Sequence, residues 1–271
     1  MFVVAVTRWG PGLSEQLPTL AAELGVFPYD LRMRLNGPLP VVVARVSGAE
    51  AASALVAKLR GWGHGAVGGD TAKVPTTEQM HQPREFELDF EGGHLRTTSA
   101  TRERAQVDGA EIYALIHAMV VSDAQTISER HSKQFSAARA VLSGGMVMTR
   151  STSSTSTITE SSSEERIYLI RRDFAQPMVF CQHQLRYTGL GDAMGRASHE
   201  SFAALCTALR RLAPGAIYDD QLRVTRRKRS LDGVTSERKG DETIKSETNS
   251  NASGVDLAAY LILMGHARGQ L

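Results

Sequence analysis

Apolar residues recur along this chain with two different periods, and the change from one to the other marks out its elements. After Ser198, Phe202, Leu205, Cys206, Leu209 and Leu212 fall at i, i+3, i+4, i+7 and i+10, one apolar stripe on a 3.6-residue period, so a helix is expected. Ser198 suits its N-cap, Arg210 and Arg211 suit the negative end of its dipole, and Pro214 stops it. Ahead of it, Arg166–Ile170 and Pro177–Leu185 predict strands. At the N-terminus, Phe2–Val6 is an apolar run that suits a buried strand, and Leu17, Leu20, Ala21 and Leu24 then take helical spacing up to Gly25. Tyr29, Leu31, Met33 and Leu35 alternate with Asp30, Arg32, Arg34 and Asn36, the period of two expected of a strand with one wet face. Val41–Val46 predicts a central strand. Ser47-Gly48-Ala49-Glu50 is a capping-box pattern ahead of the helical set Ala52, Leu55, Val56 and Leu59, and Ala66-Val67 is a weak last strand.

The resulting order over residues 1–72 is β-α-β-β-α-β, which resembles the ferredoxin-like module. Residues 73–83, with Pro75 and Pro83, are expected to be a linker. Phe86, Leu88 and Phe90 alternate with acidic residues, and Gly92-Gly93 turns that strand into a second, His94–Ser99. Arg102–Val107 suits a third strand, and Glu111–Val121 is apolar on both faces and rich in β-branched residues, so it too is expected to be a strand. Residues 123–165 form a polar insertion in which every position from Ser151 to Ser163 except Ile158 and Glu160 is Ser or Thr. Two readings stand for that run: a disordered, phosphorylatable loop, or a β arm in which Met146–Thr159 pairs back onto Glu164–Arg172. Residues 219–253 have the mixed-charge composition of a flexible linker, and 254–268 form a short helix whose Leu257, Tyr260, Leu261 and Met264 are expected to dock on a domain or a partner.

Residues 84–218 carry a second resemblance. The Phe86-x-Leu88-x-Phe90 strand, the Gly92-Gly93 turn, the Ile167–Ile170 and Met178–Leu185 strands and the Ser198–Leu212 helix follow one another as several antiparallel strands closed by one amphipathic helix. This resembles the pleckstrin-homology-like architecture of bacterial proteins at the level of topology. The resemblance implies binding of phosphoinositide head groups, peptides or proteins, with basic residues of the first hairpin as the phosphate cradle. His94, Arg96, Arg102 and Arg104 are the residues that would serve here. The expected fold class is therefore α+β, a ferredoxin-like domain followed by an antiparallel β domain capped by a helix.

Composition narrows the function classes. The 271 residues, 42% of them hydrophobic, suffice for two domains with cores of their own, and a net charge of +2 gives no whole-chain argument for an acidic partner. Nucleic acid is not expected, because Phe2–Val6 and Val41–Val46 offer aliphatic residues where an RNA-binding sheet needs aromatic ones. Cys181 and Cys206 are expected to be buried thiols, and Cys181-x-His183 lacks a third and fourth ligand, so neither metal nor cofactor is expected. The glycine-rich pieces Gly61–Gly69 and Gly189–Gly195 lack a phosphate-loop lysine at the required offset, and Asp219-Asp220 is expected in a loop after the helix. No run approaches the roughly 20 apolar residues of a transmembrane helix, and the N-terminus lacks a secretory pattern, so a cytoplasmic protein is expected. No nucleophile, base and oxyanion set assembles from these motifs. The expected function is non-catalytic protein binding or scaffolding, through a partner or self-association. Recruitment to anionic membrane through the hairpin cations and the Arg226–Arg229 cluster is the alternative, and an enzyme with a site between domains is a third reading.

Overall fold

A computed structural model describes residues 1–135, 149–224, 230–239 and 242–271. These fall into two compact units, one comprising Met1–Val120, Glu164–Lys228 and Ala252–Leu271, the other Val121–Ser163 and Arg229–Asn251. Helices and antiparallel sheets both contribute, so the chain is of the α+β class.

In the first unit, Phe2–Arg8 (β1) is the middle strand of a three-stranded sheet, with Val41–Val46 (β2) and Gly65–Asp70 (β3) antiparallel on either side. Leu13–Glu23 (α1), Pro28–Leu35 (α2) and Ala49–Gly61 (α3) pack on one face, where Val4, Val6 and Val43 meet Leu17, Leu20, Leu31 and Leu59. The expected strand at Tyr29–Leu35 is thus a helix, and the element order becomes β-α-α-β-α-β. A period of two contains a period of four: Leu31 and Leu35, one turn apart, are buried, while Tyr29 and Met33 share the opposite, exposed side. Pro28 at the first helical position and the strong helix formers Leu, Arg and Met settle the choice. With no strand from this segment, β2 keeps a free outer edge among the described residues.

The remainder of the first unit is built on a buried sheet. Strands Ile112–Phe135 (β7), Thr149–Arg171 (β8) and Met178–Cys181 (β9) are neighbours, and Ile217–Leu222 (β10) joins β7 in parallel. Leu115, Ile167, Leu169 and Phe180 face Ser198–Leu212 (α4) and the small sheet of Pro83–Asp89 (β4), His94–Ser99 (β5) and Arg104–Asp108 (β6). Ala114, Ile116, Ala118, Tyr168 and Val179 face the C-terminal helix Ala252–Ala267 (α5) instead. Cover on both faces explains why the start of β7 reads as a continuous apolar run. The α4 start differs in detail from expectation: Glu200 accepts from the Arg196 and Ala197 amides, in place of a Ser198 cap. Asp219-Asp220 lies in strand β10 and not in a loop, and Asp219 is buried beside His266 at 2.9 Å.

Helix α5 docks in cis. Leu261 packs against Val3, Ala5 and Val67 of the N-terminal sheet with Leu257 and Met264 beside it, while Val255, Ala258 and Ile262 pack against β7 and β8. A helix apolar on nearly every side is stable only when surrounded, and this one has a sheet on each side. Its Asp256 is buried, accepting from the Thr77 amide and hydroxyl at 2.9 Å and from the Tyr168 hydroxyl at 2.7 Å. Glycine on the sheet makes room for the helix: a Cβ on Gly69 would stand 2.7 Å from the Tyr260 ring.

The second unit contains the outer parts of β7 and β8 with Ser230–Lys239 (β11) and Glu242–Ser250 (β12), in the order β11-β12-β7-β8. Strand β12 pairs antiparallel with β7, from Glu242 opposite Arg130 to Ser250 opposite Ser122. The Ser/Thr-rich run is therefore β structure, as one of the two readings had it. Its neighbour is β7, however, and not Glu164–Arg172, because 149–171 is one continuous strand. Met146–Met148 of the expected arm lie outside the described residues. The expected flexible linker is likewise occupied by β10, β11 and β12. Threonine and valine lend that polar segment β-propensity, and pairing to β7 supplies the backbone partners it lacks alone. Asn251, just past β12, holds its side-chain oxygen 2.8 Å from the Val121 amide within β7.

Candidate functional site

Strand β2 forms because four of its six residues are valine, and β-branched side chains fit a pleated, half-buried surface. It pairs only with β1, so its other edge presents backbone groups with no strand neighbour among the described residues. Along that edge runs a groove of about 460 Å³, walled by Leu24, Val26 and Val42–Val46, with Glu23 and Arg45 as its charged residues. The next residue after Val26 is Phe27, 77% exposed, and α2 adds Tyr29 at 71% and Met33 at 58%. Single exposed apolar residues are ordinary, but three large ones stand within seven positions here, on the segment that neighbours β2 and outside the groove lining itself. Proteins usually guard an edge strand with charge, proline or a bulge. Here the guards are slight: Arg45 near one end and a one-residue register shift against β1 at Val43, with neither charge nor proline at the centre. The sequence signal for this surface is the Tyr29, Leu31, Met33, Leu35 series, whose alternation presents it as a strand.

His94, Arg96 and Arg104 share one face of β5 and β6, and His94 and Arg96 carry carboxylate partners. Arg96 lies opposite Gln106, and Thr98 opposite Arg104, so Arg96 and Arg104 share one face. His94 Nδ1 meets the Asp108 carboxylate, and Arg96 pairs with Glu87 at 3.6 Å and donates to Gln106 at 3.3 Å. Arg102 is held apart in the β5–β6 turn with φ of 65°, its amide donating to the Ser99 carbonyl. Pairing with Asp108 and Glu87 leaves this face of mixed charge, unlike a phosphate cradle. Of the second basic cluster, Arg226–Arg229 lies outside the described residues. The docking-helix residues Leu257, Tyr260, Leu261 and Met264 are placed within the first unit, as above.

Two buried polar groups escaped sequence reasoning because their members are far apart in the chain. In one, His117 Nε2 is 2.8 Å from Glu165 Oε2, its Nδ1 is 3.0 Å from the Tyr218 hydroxyl, and Cys206 Sγ is 4.0 Å from that same Nδ1. Cysteine, histidine and glutamate side chains in contact are also the parts of a nucleophilic triad. Here burial pushes the Cys206 thiol up to about 12 and lowers the His117 pKa from its ordinary value, disfavouring both thiolate and imidazolium. A nucleophilic cysteine needs the opposite state, thiolate beside imidazolium. In the other group, Arg166 donates to the Thr77 hydroxyl at 3.0 Å and to Glu164 at 3.1 Å, and Thr77 hands on to Asp256. Burial raises Tyr168 well above its ordinary pKa and pushes Cys181 up to about 12. Cys181 ends β9 while His183 lies in the turn beyond it, and no cluster of three metal-ligating side chains occurs among the described residues.

Among the described residues no helix is long and apolar enough to cross a membrane. No protein-family model, no curated protein and no solved structure matches the chain.

Proposed function

We propose that this is a non-catalytic binding protein that associates with a second copy of itself through the free edge of β2. The observation that carries this reading is the open β2 edge with its apolar groove, followed in sequence by the exposed Phe27, Tyr29 and Met33 of the neighbouring α2 segment. Strand addition at a free edge supplies main-chain hydrogen bonds, and the flanking apolar side chains supply burial. A second copy fits this surface by composition and charge. Antiparallel pairing about a twofold axis between Val43 and Ala44 sets Val41 opposite Val46, Val42 opposite Arg45 and Val43 opposite Ala44, so no two like charges meet. The groove's own charges, Glu23 and Arg45, sum to zero, which suits a self-complementary contact. Edge hydrogen bonds with partial burial of these side chains are expected to give a reversible dimer. Cysteines that stay as thiols agree with a reducing, cytoplasmic setting.

Sedimentation equilibrium over a range of concentrations tests the proposal. The expected result is a monomer–dimer equilibrium that the F27S/Y29S/M33S variant shifts to monomer. A wild-type chain that is monomeric throughout, or a variant that dimerises as tightly as wild type, overturns it.

A further inference from the structure

The opposite edge of the same sheet carries a different opening. Between α3 and α5, over the glycines of β3, lies a groove of about 490 Å³, a size that suits a small-molecule ligand. Gly68-Gly69 line its floor, and Tyr260, packed against Gly69, forms part of one wall. Three cations line it, Arg60 from α3, Lys73 after β3 and Arg268 after α5, against a single carboxylate, Asp70. Asp70 is already engaged, accepting from the Ala72 amide at 3.1 Å and facing the Met1 amino group at 3.8 Å.

Two further observations show that these cations are poorly compensated. The Nε of Arg60 donates to the Ala66 carbonyl at 2.9 Å, but its Nη2 is buried with no hydrogen-bond partner. A buried charged donor without an acceptor is a cost that an incoming acceptor removes. Repulsion from Arg268 adds to burial in lowering the Arg60 pKa, so the two guanidinium groups feel each other as like charges. An anion between them turns that repulsion into attraction.

We infer that the α3–α5 groove is a binding site for a soluble phosphate monoester. Three cations against one carboxylate leave two positive charges, which a phosphate monoester of about −1.5 to −2 matches and a carboxylate of −1 does not. The planar guanidinium forks of Arg60 and Arg268 suit phosphate oxygens, with Lys73 as a point charge. The site contains none of the residues of the β2 edge and stands independently of the association proposed there.

Isothermal titration calorimetry at low salt with glycerol 3-phosphate, acetate and phosphatidic-acid vesicles as probes tests the inference. Glycerol 3-phosphate is expected to bind, acetate to bind at least about tenfold more weakly, and the K73A/R268A variant to lose about a hundredfold in affinity, about tenfold for each cation removed. Both replaced side chains are exposed, so the variant is expected to fold, which circular dichroism checks. An R60K variant, which keeps the charge but loses the fork, is expected to fall between wild type and the double variant. Absence of glycerol 3-phosphate binding, equal binding by K73A/R268A, or binding to the vesicles alone overturns the inference.

Discussion

The two margins of the N-terminal sheet are open in contrasting ways. Along β2 the opening is apolar, walled by Leu24, Val26 and the valines of the strand, and its two charges cancel. Along β3 a helix closes over the strand, the floor is glycine, and the surplus charge is positive. What separates them is the element that arrives beside each strand. Helix α2 takes the sequence position of an outer strand and leaves β2 bare, whereas α5 comes from the far end of the chain to wall β3. One sheet thus offers a surface suited to backbone pairing and another suited to a compact anion.

The largest effect expected on this contrast comes from the polar latch of α5. Asp256→Ala leaves the Tyr168 hydroxyl and the Thr77 amide without their acceptor in a dry core, at a cost of about 2–5 kcal/mol. Chemical denaturation is expected to show that loss, and the β3 groove, which shares α5, to lose its ligand before the β2 edge changes. Next comes F27S/Y29S/M33S, expected to weaken dimerisation by about a hundredfold while glycerol 3-phosphate binding stays at the wild-type value. The same two measurements on K73A/R268A are expected to give the reverse pattern.

A smaller effect is set by pH. His64 is buried, its Nδ1 accepting from the Gly10 amide at 2.8 Å, and His117 is buried near Glu165; burial lowers both pKa values from 6.5. A group held neutral in the folded state binds its proton more readily when unfolded, so its stabilising contribution is full above about pH 6.5 and is lost as pH falls below it. The melting temperature is expected to be flat above neutrality and to decline below it, and His64→Gln to reduce the slope. The smallest effect is expected on the β5–β6 face. R96A/R104A removes one exposed ion pair and should change stability by under about 0.5 kcal/mol and phosphate affinity not at all.

The helix at Ser198–Leu212 was legible because its stripe is repeated over four turns and fits no other period. Tyr29–Leu35 was not, since alternate positions also satisfy a spacing of four, and only Pro28 and residue propensity lean toward helix. The strands Thr149–Arg171 and Glu242–Ser250 were hidden by polar composition, because each pairs with β7, which lies elsewhere in the sequence. For the sites the obstacle was similar. The hairpin basic residues read as available until Asp108 and Glu87 arrive from the adjoining strands, and Arg60 and Arg268 read as unrelated until α5 brings them together. The glycines at 68 and 69 lack a phosphate-loop spacing, yet the lysine of this groove, Lys73, follows them closely.

Hydrogen exchange of the β2 amides at low and high protein concentration tests the central claim most directly. If the free edge is the association surface, amides within Val42–Val46 gain protection as concentration rises, and those of β3 do not. Dimer formation with β2 exchange unchanged would contradict it.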